Sequence, residues 1–155
     1  MSDTNAVRLD AQVRIVGTGL LGASIGLALR SLGIDVALAD AALASALPML
    51  SKALSHVGHF QTRNRGTVGG SIALGEPAAE LPATAVALGA EIEARSVNGS
   101  RRIPATEFYI GPYASVLEPD ELVTAIHFPD WASGSRTVFH EVARRPGDFA
   151  LVGLV

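Results

Sequence analysis

Cysteine is absent from the 155-residue chain. Its absence excludes disulfides, a cysteine nucleophile, thiolate zinc sites and iron–sulfur clusters ligated by this chain. A surplus of basic charge is also lacking, since 12 basic residues face 15 acidic ones, so we expect no nucleic acid as a partner. The longest uncharged run, residues 15–29, is too short for a bilayer. We therefore expect no membrane span and a cytoplasmic protein.

A close set of metal ligands is lacking as well. His56 and His59 lie three positions apart, but Gly58 separates them. We interpret the two histidines as a polar pair at the end of a helix and expect no bound metal. Hydrophobic residues make up 48% of the chain and charged residues 17%, so a folded core is expected rather than disorder.

Residues 1–40 are predicted to form one Rossmann-like βαβ unit. Apolar spacing predicts a strand over residues 13–16, a helix over residues 23–32 and a second strand over residues 36–39. The segment between the first strand and the helix is rich in glycine, as nucleotide-binding turns are.

Four residues of this unit are candidates for binding NAD. Gly17 allows a tight turn, Gly19 lets the backbone approach a pyrophosphate, and Gly22 lets the helix pack close to the strand. Asp40 would accept a hydrogen bond from a ribose hydroxyl. A purely structural turn explains the same glycines equally well. The run from residue 13 to residue 40 resembles the NAD-binding N-terminus of prephenate dehydrogenases.

The remaining residues indicate mixed helices and strands. Pro48 is expected to break a helical pattern or to begin a helix. Residues 60–77 are predicted to form loops around one short strand, and residues 82–88 a short helix. Asn98-Gly99 predicts a hairpin between two strands. Further strands are predicted over the runs 122–128, 137–143 and 149–155.

The best chemical candidate is the glycine-rich segment 63–71, with sequence Arg-Asn-Arg-Gly-Thr-Val-Gly-Gly-Ser. Its glycines expose backbone N–H groups and permit close approach of a phosphate or a flavin edge. Its composition alone fits a ligand loop and a structural turn equally well. Tyr109 and Tyr113, further along the chain, are expected to cover an edge of the core.

Residues 41–155 resemble the FAD-binding medium subunit of molybdenum hydroxylases, the carbon monoxide dehydrogenase and xanthine dehydrogenase family. The resemblance rests on ordered motifs, which are the runs 54–59, 63–71, 76–82, 118–122 and 144–150. It implies an α+β, PCMH-like FAD-binding subdomain at 41–135, followed by the truncated start of the flavoprotein C-terminal domain at 136–155. The βαβ unit at 1–40 would precede them, as in a chimera.

The resemblance implies an FAD site in the second region. The implied cofactor-binding residues are the Thr-Val-Gly-Gly-Ser run, an acid after the next turn and an apolar residue beside the ring, namely Thr67, Val68, Gly69, Gly70, Ser71, Glu80 and Leu122. Two departures from the family stand out. The usual upstream Ala-Gly-Gly-x-Ser-Leu loop is replaced by residues 1–40, and Leu74 and Glu76 stand where the family usually has His and Asp.

The implied role is electron transfer through FAD, with no catalytic acid or base in this chain. The partners would be a molybdopterin-binding large subunit and an iron–sulfur small subunit, in agreement with the absence of cysteine. Two alternatives remain open at this point. The chain could be an NAD-binding fragment of a prephenate-dehydrogenase-like enzyme, or a non-catalytic chimera in which both nucleotide loops are vestigial.

Overall fold

The computed structural model describes residues 12–15, 47–59, 66–129 and 136–155. Within these ranges the helices are α1 (Pro48–Leu54), α2 (Val68–Leu74), α3 (Glu80–Ala87) and α4 (Ala105–Phe108). The strands are β1 (Gln12–Ile15), β2 (Glu91–Ser96), β3 (Gly99–Pro104), β4 (Tyr109–Gly111), β5 (Ala114–Ser115), β6 (Leu122–Pro129), β7 (His140–Val142) and β8 (Val152–Leu154). The predicted α+β class is confirmed for the described part of the chain.

The helix starts follow local chemistry. Proline is well suited to the first helical position, where its missing N–H is not needed, and α1 begins at Pro48 as expected. Helix α3 begins at Glu80, two positions before the predicted start, and ends before the left-handed Gly89. Helix α2 contradicts the prediction of loops around a short strand, because the side chain of Thr67 caps a helix within this glycine-rich segment.

The main sheet has four strands in the order β1, β6, β2 and β3, with each neighbouring pair antiparallel. The predicted hairpin between β2 and β3 is confirmed, although Gly99 pairs with Ser96, so the turn lies one residue earlier than Asn98-Gly99. A register shift between Glu93 and Ala94 interrupts the pairing of β2 with β6.

Strand β1 confirms the first strand predicted near the N-terminus, shifted by one residue. It pairs with β6 and therefore belongs to the same sheet as the later hairpin. The glycine loop, the helix and the second strand predicted to follow it lie outside the described residues, and so do Gly17, Gly19, Gly22 and Asp40. The Rossmann-like unit accordingly stays a prediction.

One hydrophobic cluster joins the helices to the main sheet. The fully buried Leu50 and Ile72 come from α1 and α2, Ile92 and Ile126 come from the central strands, and Phe108 ends α4. Because each element contributes apolar side chains to a shared interior, packing of the helices and formation of the sheet stabilise one another.

Strands β7 and β8 form a separate two-stranded sheet. Both are shorter than predicted, and Val152 and Leu154 of β8 are exposed. In the described ranges, none of the helices is both long and apolar enough to cross a membrane.

Candidate cofactor site

The Thr-Val-Gly-Gly-Ser run forms the first turn of helix α2. Thr67 is extended and precedes the helix, and its hydroxyl oxygen accepts a hydrogen bond of 2.7 Å from the backbone N–H of Gly70. The N–H of Ser71 donates to the carbonyl oxygen of Thr67 at 3.0 Å. The threonine therefore fixes the loop by two hydrogen bonds, one through its side chain and one through its backbone.

Gly70 is required by this arrangement. A Cβ atom at this position would lie 2.6 Å from the Thr67 hydroxyl oxygen, which is too close for any side chain. The hydroxyl can approach the backbone of residue 70 because no side chain stands between them. The pair Thr67 and Gly70 is thus one structural unit, in which the glycine allows the cap that the threonine makes.

The capped turn leaves two backbone donors for another group. The N–H groups of the first turn of an α-helix have no partner within the helix. Those of Gly70 and Ser71 are bonded to Thr67, so those of Val68 and Gly69 remain without an intrahelical acceptor. Donors of this kind suit the oxygen atoms of a phosphate or of a flavin ring. The residues present therefore fit a nucleotide cofactor.

The turn that follows α2 is held by glycine and by side chains. Gly75 ends the helix in a left-handed conformation, with φ of 64°. The carboxylate of Glu76 accepts hydrogen bonds from the N–H of Ala78 and from the hydroxyl of Tyr113. The backbone N–H of Tyr113 donates to the carbonyl oxygen of Gly75 at 3.0 Å. The glutamate that departs from the usual family residue therefore ties this turn to the strand pair β4–β5.

Tyr113 is the residue of this region that the sequence-based interpretation misplaced. It is exposed, whereas Tyr109 packs against the core as expected. Tyr113 has φ of 56°, and among the described non-glycine residues it alone has a positive φ. A residue whose backbone is held in this strained conformation is often part of a functional site. A Gly-Pro pair just before the tyrosine was the signal for a turn here, but no local pattern predicted the strain.

Glu80 begins helix α3 and is buried. Burial raises the pKa of its carboxyl group; the backbone N–H of the same residue and nearby His56 lower it, and the charge of Glu141 raises it. The structure therefore places Glu80 among other ionisable groups rather than on an open surface.

Leu122 lies at the beginning of β6 and is exposed. Helix α2 packs against β6 and against α3, so the elements that carry Thr67, Glu80 and Leu122 are neighbours in the fold. The residues Arg63, Asn64 and Arg65 of the glycine-rich segment lie outside the described residues. The binding roles of the whole set stay predictions.

Residues 30–131 match the family described as the FAD binding domain in molybdopterin dehydrogenase. The match includes α1 to α4, the central hairpin and the capped glycine turn. It also begins ten residues before residue 40, within the segment predicted to be a separate unit.

Two sequence relatives illustrate the match. The chain is 43% identical over 107 residues to the 6-hydroxypseudooxynicotine dehydrogenase complex subunit alpha of Paenarthrobacter nicotinovorans, covering 69% of this chain and 36% of that protein. It is 37% identical over 143 residues to the glyceraldehyde dehydrogenase medium chain of Sulfolobus acidocaldarius, covering 92% of this chain and 50% of the relative. The second alignment is long enough to include much of residues 1–40.

The fold agrees with a solved structure of the same type. The carbon monoxide dehydrogenase of Hydrogenophaga pseudoflava matches with a TM-score of 0.72 and 34% identity, over 75% of this chain and 40% of that one. The chain thus spans half or less of the length of these relatives. The findings give no support to the resemblance between residues 13–40 and prephenate dehydrogenases. The sequence match and the shared fold agree, and the chain belongs to the family of FAD-binding domains found in the medium subunits of molybdenum hydroxylases.

Proposed function

We propose that this chain binds FAD and serves as the electron-transfer part of a molybdenum-hydroxylase-type oxidoreductase. The observation that carries the proposal is the turn in which Thr67 caps the helix through the N–H of Gly70, inside the matched FAD-binding domain. FAD supplies the capacity to accept and pass on electrons, which amino-acid side chains of this chain lack.

The residues proposed to hold the cofactor have distinct roles. The N–H groups of Val68 and Gly69 donate to cofactor oxygens, and Thr67 and Gly70 keep these donors in place. Ser71 lies in the same turn and offers a hydroxyl. Preorganised donors bind more tightly than mobile ones, because less conformational entropy is lost when the ligand arrives.

Three further residues complete the proposed site. Leu122 presents an exposed apolar side chain at the start of β6, which suits contact with a flavin ring. Tyr113, in its strained conformation, is held beside α2 by Glu76 and Gly75. An aromatic side chain fixed in this way can pack against a planar ring.

The proposed partners supply and remove the electrons. The chain has no cysteine to ligate an iron–sulfur cluster itself, and we propose that electrons reach the flavin from clusters on a partner subunit. The relatives are named as a subunit of a complex and as a medium chain, which supports assembly with other subunits. We assign the partners as an iron–sulfur small subunit and a molybdopterin-binding large subunit.

The domain division is proposed to follow the separation of the two sheets. Residues 41–135 contain most of the main sheet with its helices and would form the FAD-binding part, whereas β7 and β8 at 136–155 would belong to a second domain. The division of residues 1–40 from the rest is weaker, because β1 lies in the main sheet.

Titration of the purified chain with FAD tests the proposal. We expect FAD to bind with quenched flavin fluorescence, and Thr67→Ala to weaken binding about fivefold, since one loop-fixing hydrogen bond contributes about 1 kcal/mol. Thr67→Ser should restore binding, because serine offers the same hydroxyl acceptor.

A matched control separates the specific effect of Thr67 on FAD binding from the effect of losing any side-chain hydroxyl. The side chain of Ser96 also accepts a bond from a backbone N–H two residues later, but in the β2–β3 turn. Ser96→Ala should leave FAD affinity unchanged. A folded wild-type chain that binds no FAD, or equal losses in Thr67→Ala and Ser96→Ala, would show that the proposed site is wrong.

A further inference from the structure

A cleft lies between the end of α1 and the loop that follows β7. It has a volume of about 370 Å³ and is lined by Ser55, His56, Glu141 and residues 143–147. This volume falls within the range of about 300–1,000 Å³ that is typical of small-molecule sites. None of the residues proposed to bind FAD belongs to this lining, so the proposed cofactor site leaves the chemistry of the cleft unexplained.

His56 is held in place on the lining of the cleft by two neighbours. Its Nδ1 lies 3.2 Å from a carboxylate oxygen of Glu141, whose side chain is only 5% exposed. The buried ring of Phe139 lies 5.3 Å from the imidazole, measured between ring centroids. A carboxylate so close to Nδ1 favours a proton on that nitrogen. Nε2 therefore remains for another group, and within the described residues nothing bonds to it.

A well-fixed turn brings two arginines to the lining. The N–H of Asp148 donates to the carbonyl oxygen of Arg145 at 3.1 Å, and Nε of Arg145 donates to the carboxylate of Asp148 at 3.1 Å. Gly147 packs so closely that a Cβ atom there would lie 2.7 Å from Nδ1 of His59. The turn is thereby held against the end of α1. The backbone positions of Arg144 and Arg145 are accordingly set before any ligand arrives.

The charges of the cleft favour an anion at its mouth. Arg144 is exposed and has no hydrogen bond or ion pair with any described residue, whereas Arg145 shares its charge with Asp148. Among the described lining residues Glu141 alone is acidic, and its buried carboxylate contacts His56. The mouth of the cleft therefore offers positive charge and hydrogen-bond donors, which are the groups that bind oxyanions.

We propose that this cleft binds the phosphate group of a small molecule. Arg144 and Arg145 supply the positive charge, Nε2 of His56 contacts a phosphate oxygen, and Glu141 is the positioning residue that orients the imidazole. Guanidinium groups form paired hydrogen bonds with phosphate oxygens. A phosphate has three acceptor oxygens and about two negative charges, so it matches these three groups better than a carboxylate does.

The contact with Nε2 requires one proton. Near neutral pH this proton comes either from a protonated imidazole or from a singly protonated phosphate, so the contact is a hydrogen bond in both cases. The cleft is larger than one phosphate group needs, which leaves room for the organic part of the ligand. This inference does not rest on the proposed function, because it involves neither FAD nor the capped turn of α2.

Titration of the full chain with inorganic phosphate, without FAD and at constant ionic strength set by chloride, tests the proposal. Nuclear magnetic resonance should show saturable shifts of the ring signals of His56. Arg144→Ala should weaken binding about tenfold, because a charge-assisted contact is lost. Arg144→Lys should recover part of the affinity, since it keeps the charge but not the paired donors. Arg95→Ala is the matched control, since Arg95 is exposed in β2 and does not line the cleft.

The role of Glu141 has a readout of its own. Nitrogen chemical shifts of the imidazole report which ring nitrogen holds the proton, and we expect Nδ1 in the wild type. Glu141→Gln should raise the fraction of His56 protonated on Nε2 and should weaken phosphate binding. Circular dichroism checks that the variant is folded. An unchanged proton position in folded Glu141→Gln would overturn the positioning role.

The outcomes separate this site from the cofactor site. The absence of saturable shifts at His56, or equal losses in Arg144→Ala and Arg95→Ala, would overturn the proposal. Equally tight binding of acetate would overturn the assignment to phosphate, and loss of phosphate binding after saturation with FAD would show that the cleft belongs to the cofactor site. A chain that binds phosphate at His56 but binds no FAD would support this inference and contradict the proposed function.

Discussion

Residues 66–129 and residues 136–155 are held in place by different interactions. The first region is built on buried apolar side chains, among them Ile92, Phe108 and Ile126. The second buries Phe139 but exposes Val152 and Leu154, and two histidine–carboxylate contacts join it to the end of α1. The same chain thus combines a packed core with a strand pair that is joined to it by one buried aromatic side chain and by polar contacts.

This difference indicates how the two regions respond to change. Hydrophobic burial is non-directional and insensitive to pH, so the first region should lose most stability when buried volume is removed. Polar contacts depend on distance and charge, so the hairpin should respond to small shifts in geometry. We expect the hairpin to open at a lower free energy than the core.

The largest effect is expected from Phe108→Ala. Phe108 is fully buried, and its ring makes an edge contact with Tyr109 at 5.0 Å between centroids. Removing the ring should lower the free energy of unfolding by about 3–5 kcal/mol, because a cavity remains. Chemical denaturation measures the loss. Ile110→Ala, at an exposed position in the neighbouring strand, should change stability by less than about 0.5 kcal/mol.

Equal losses in Phe108→Ala and Ile110→Ala would contradict the description of the first region as a packed core.

Gly147→Ala should release the hairpin and leave the core intact. Gly147 has φ of 83°, and a Cβ atom there would lie 2.7 Å from Nδ1 of His59 and 3.0 Å from the carbonyl oxygen of Gly58. We expect the free energy for local opening of the hairpin to fall by about 1–3 kcal/mol. Hydrogen exchange should accelerate at the amides of β7 and β8, with little change in β2 and β6.

Gly89→Ala is the matched control, because Gly89 also has a positive φ but has nothing within 4 Å of the added Cβ atom. It imposes backbone strain without the collision and should not accelerate exchange in the hairpin. If Gly147→Ala and Gly89→Ala accelerate hydrogen exchange in β7 and β8 equally, the close packing of Gly147 against His59 does not hold the hairpin in place.

Thr67→Ala tests how much one polar contact contributes to the stability of the first region. Loss of the cap should lower the free energy of unfolding by about 1 kcal/mol, well below the loss in Phe108→Ala. Thermal or chemical denaturation gives the value, and Thr67→Ser should recover most of it. A loss as large as that of Phe108→Ala would mean that polar contacts also dominate the first region.

The smallest effect concerns the dependence of stability on pH. Arg101 donates two hydrogen bonds of 2.7 Å to Glu121, and this contact, with the N–H of Glu118, lowers the pKa of Glu121 from 4.5 to about 2. The stabilisation is present above pH 4.5 and is lost as the pH falls towards 2, where the folded protein must also take up the proton.

Glu121→Gln should therefore lower the free energy of unfolding near neutrality, change it little near pH 2, and flatten its dependence on pH between pH 2 and 4.5. Glu107→Gln should leave the acid slope as it is in the wild type. An unchanged slope in Glu121→Gln would show that the contact with Arg101 contributes nothing in solution, as many exposed ion pairs do.

Local sequence signals predicted the elements whose causes are local. Asn98-Gly99 marked the β2–β3 hairpin within one residue, because asparagine and glycine favour tight turns, and Gly99 has a positive φ of 142°. Pro48 marked the start of α1, because the fixed φ of proline suits the first helical position, where its missing N–H is not needed. The glycine-rich motif marked the candidate site, although α2 was predicted as loops, because residues 60–77 are rich in glycine, asparagine, threonine and serine.

The amino-acid sequence by itself determined the absence of thiol chemistry, the α+β class, the FAD-binding family and the residues of the glycine turn. Tertiary structure alone decided that Thr67 and Gly70 form one capped unit, that Tyr113 is strained beside Glu76, and that His56 meets Glu141. Motifs and turns depend on neighbours in the chain. Burial and contacts between distant segments depend on which surfaces the folded chain brings together, and no local pattern specifies those surfaces.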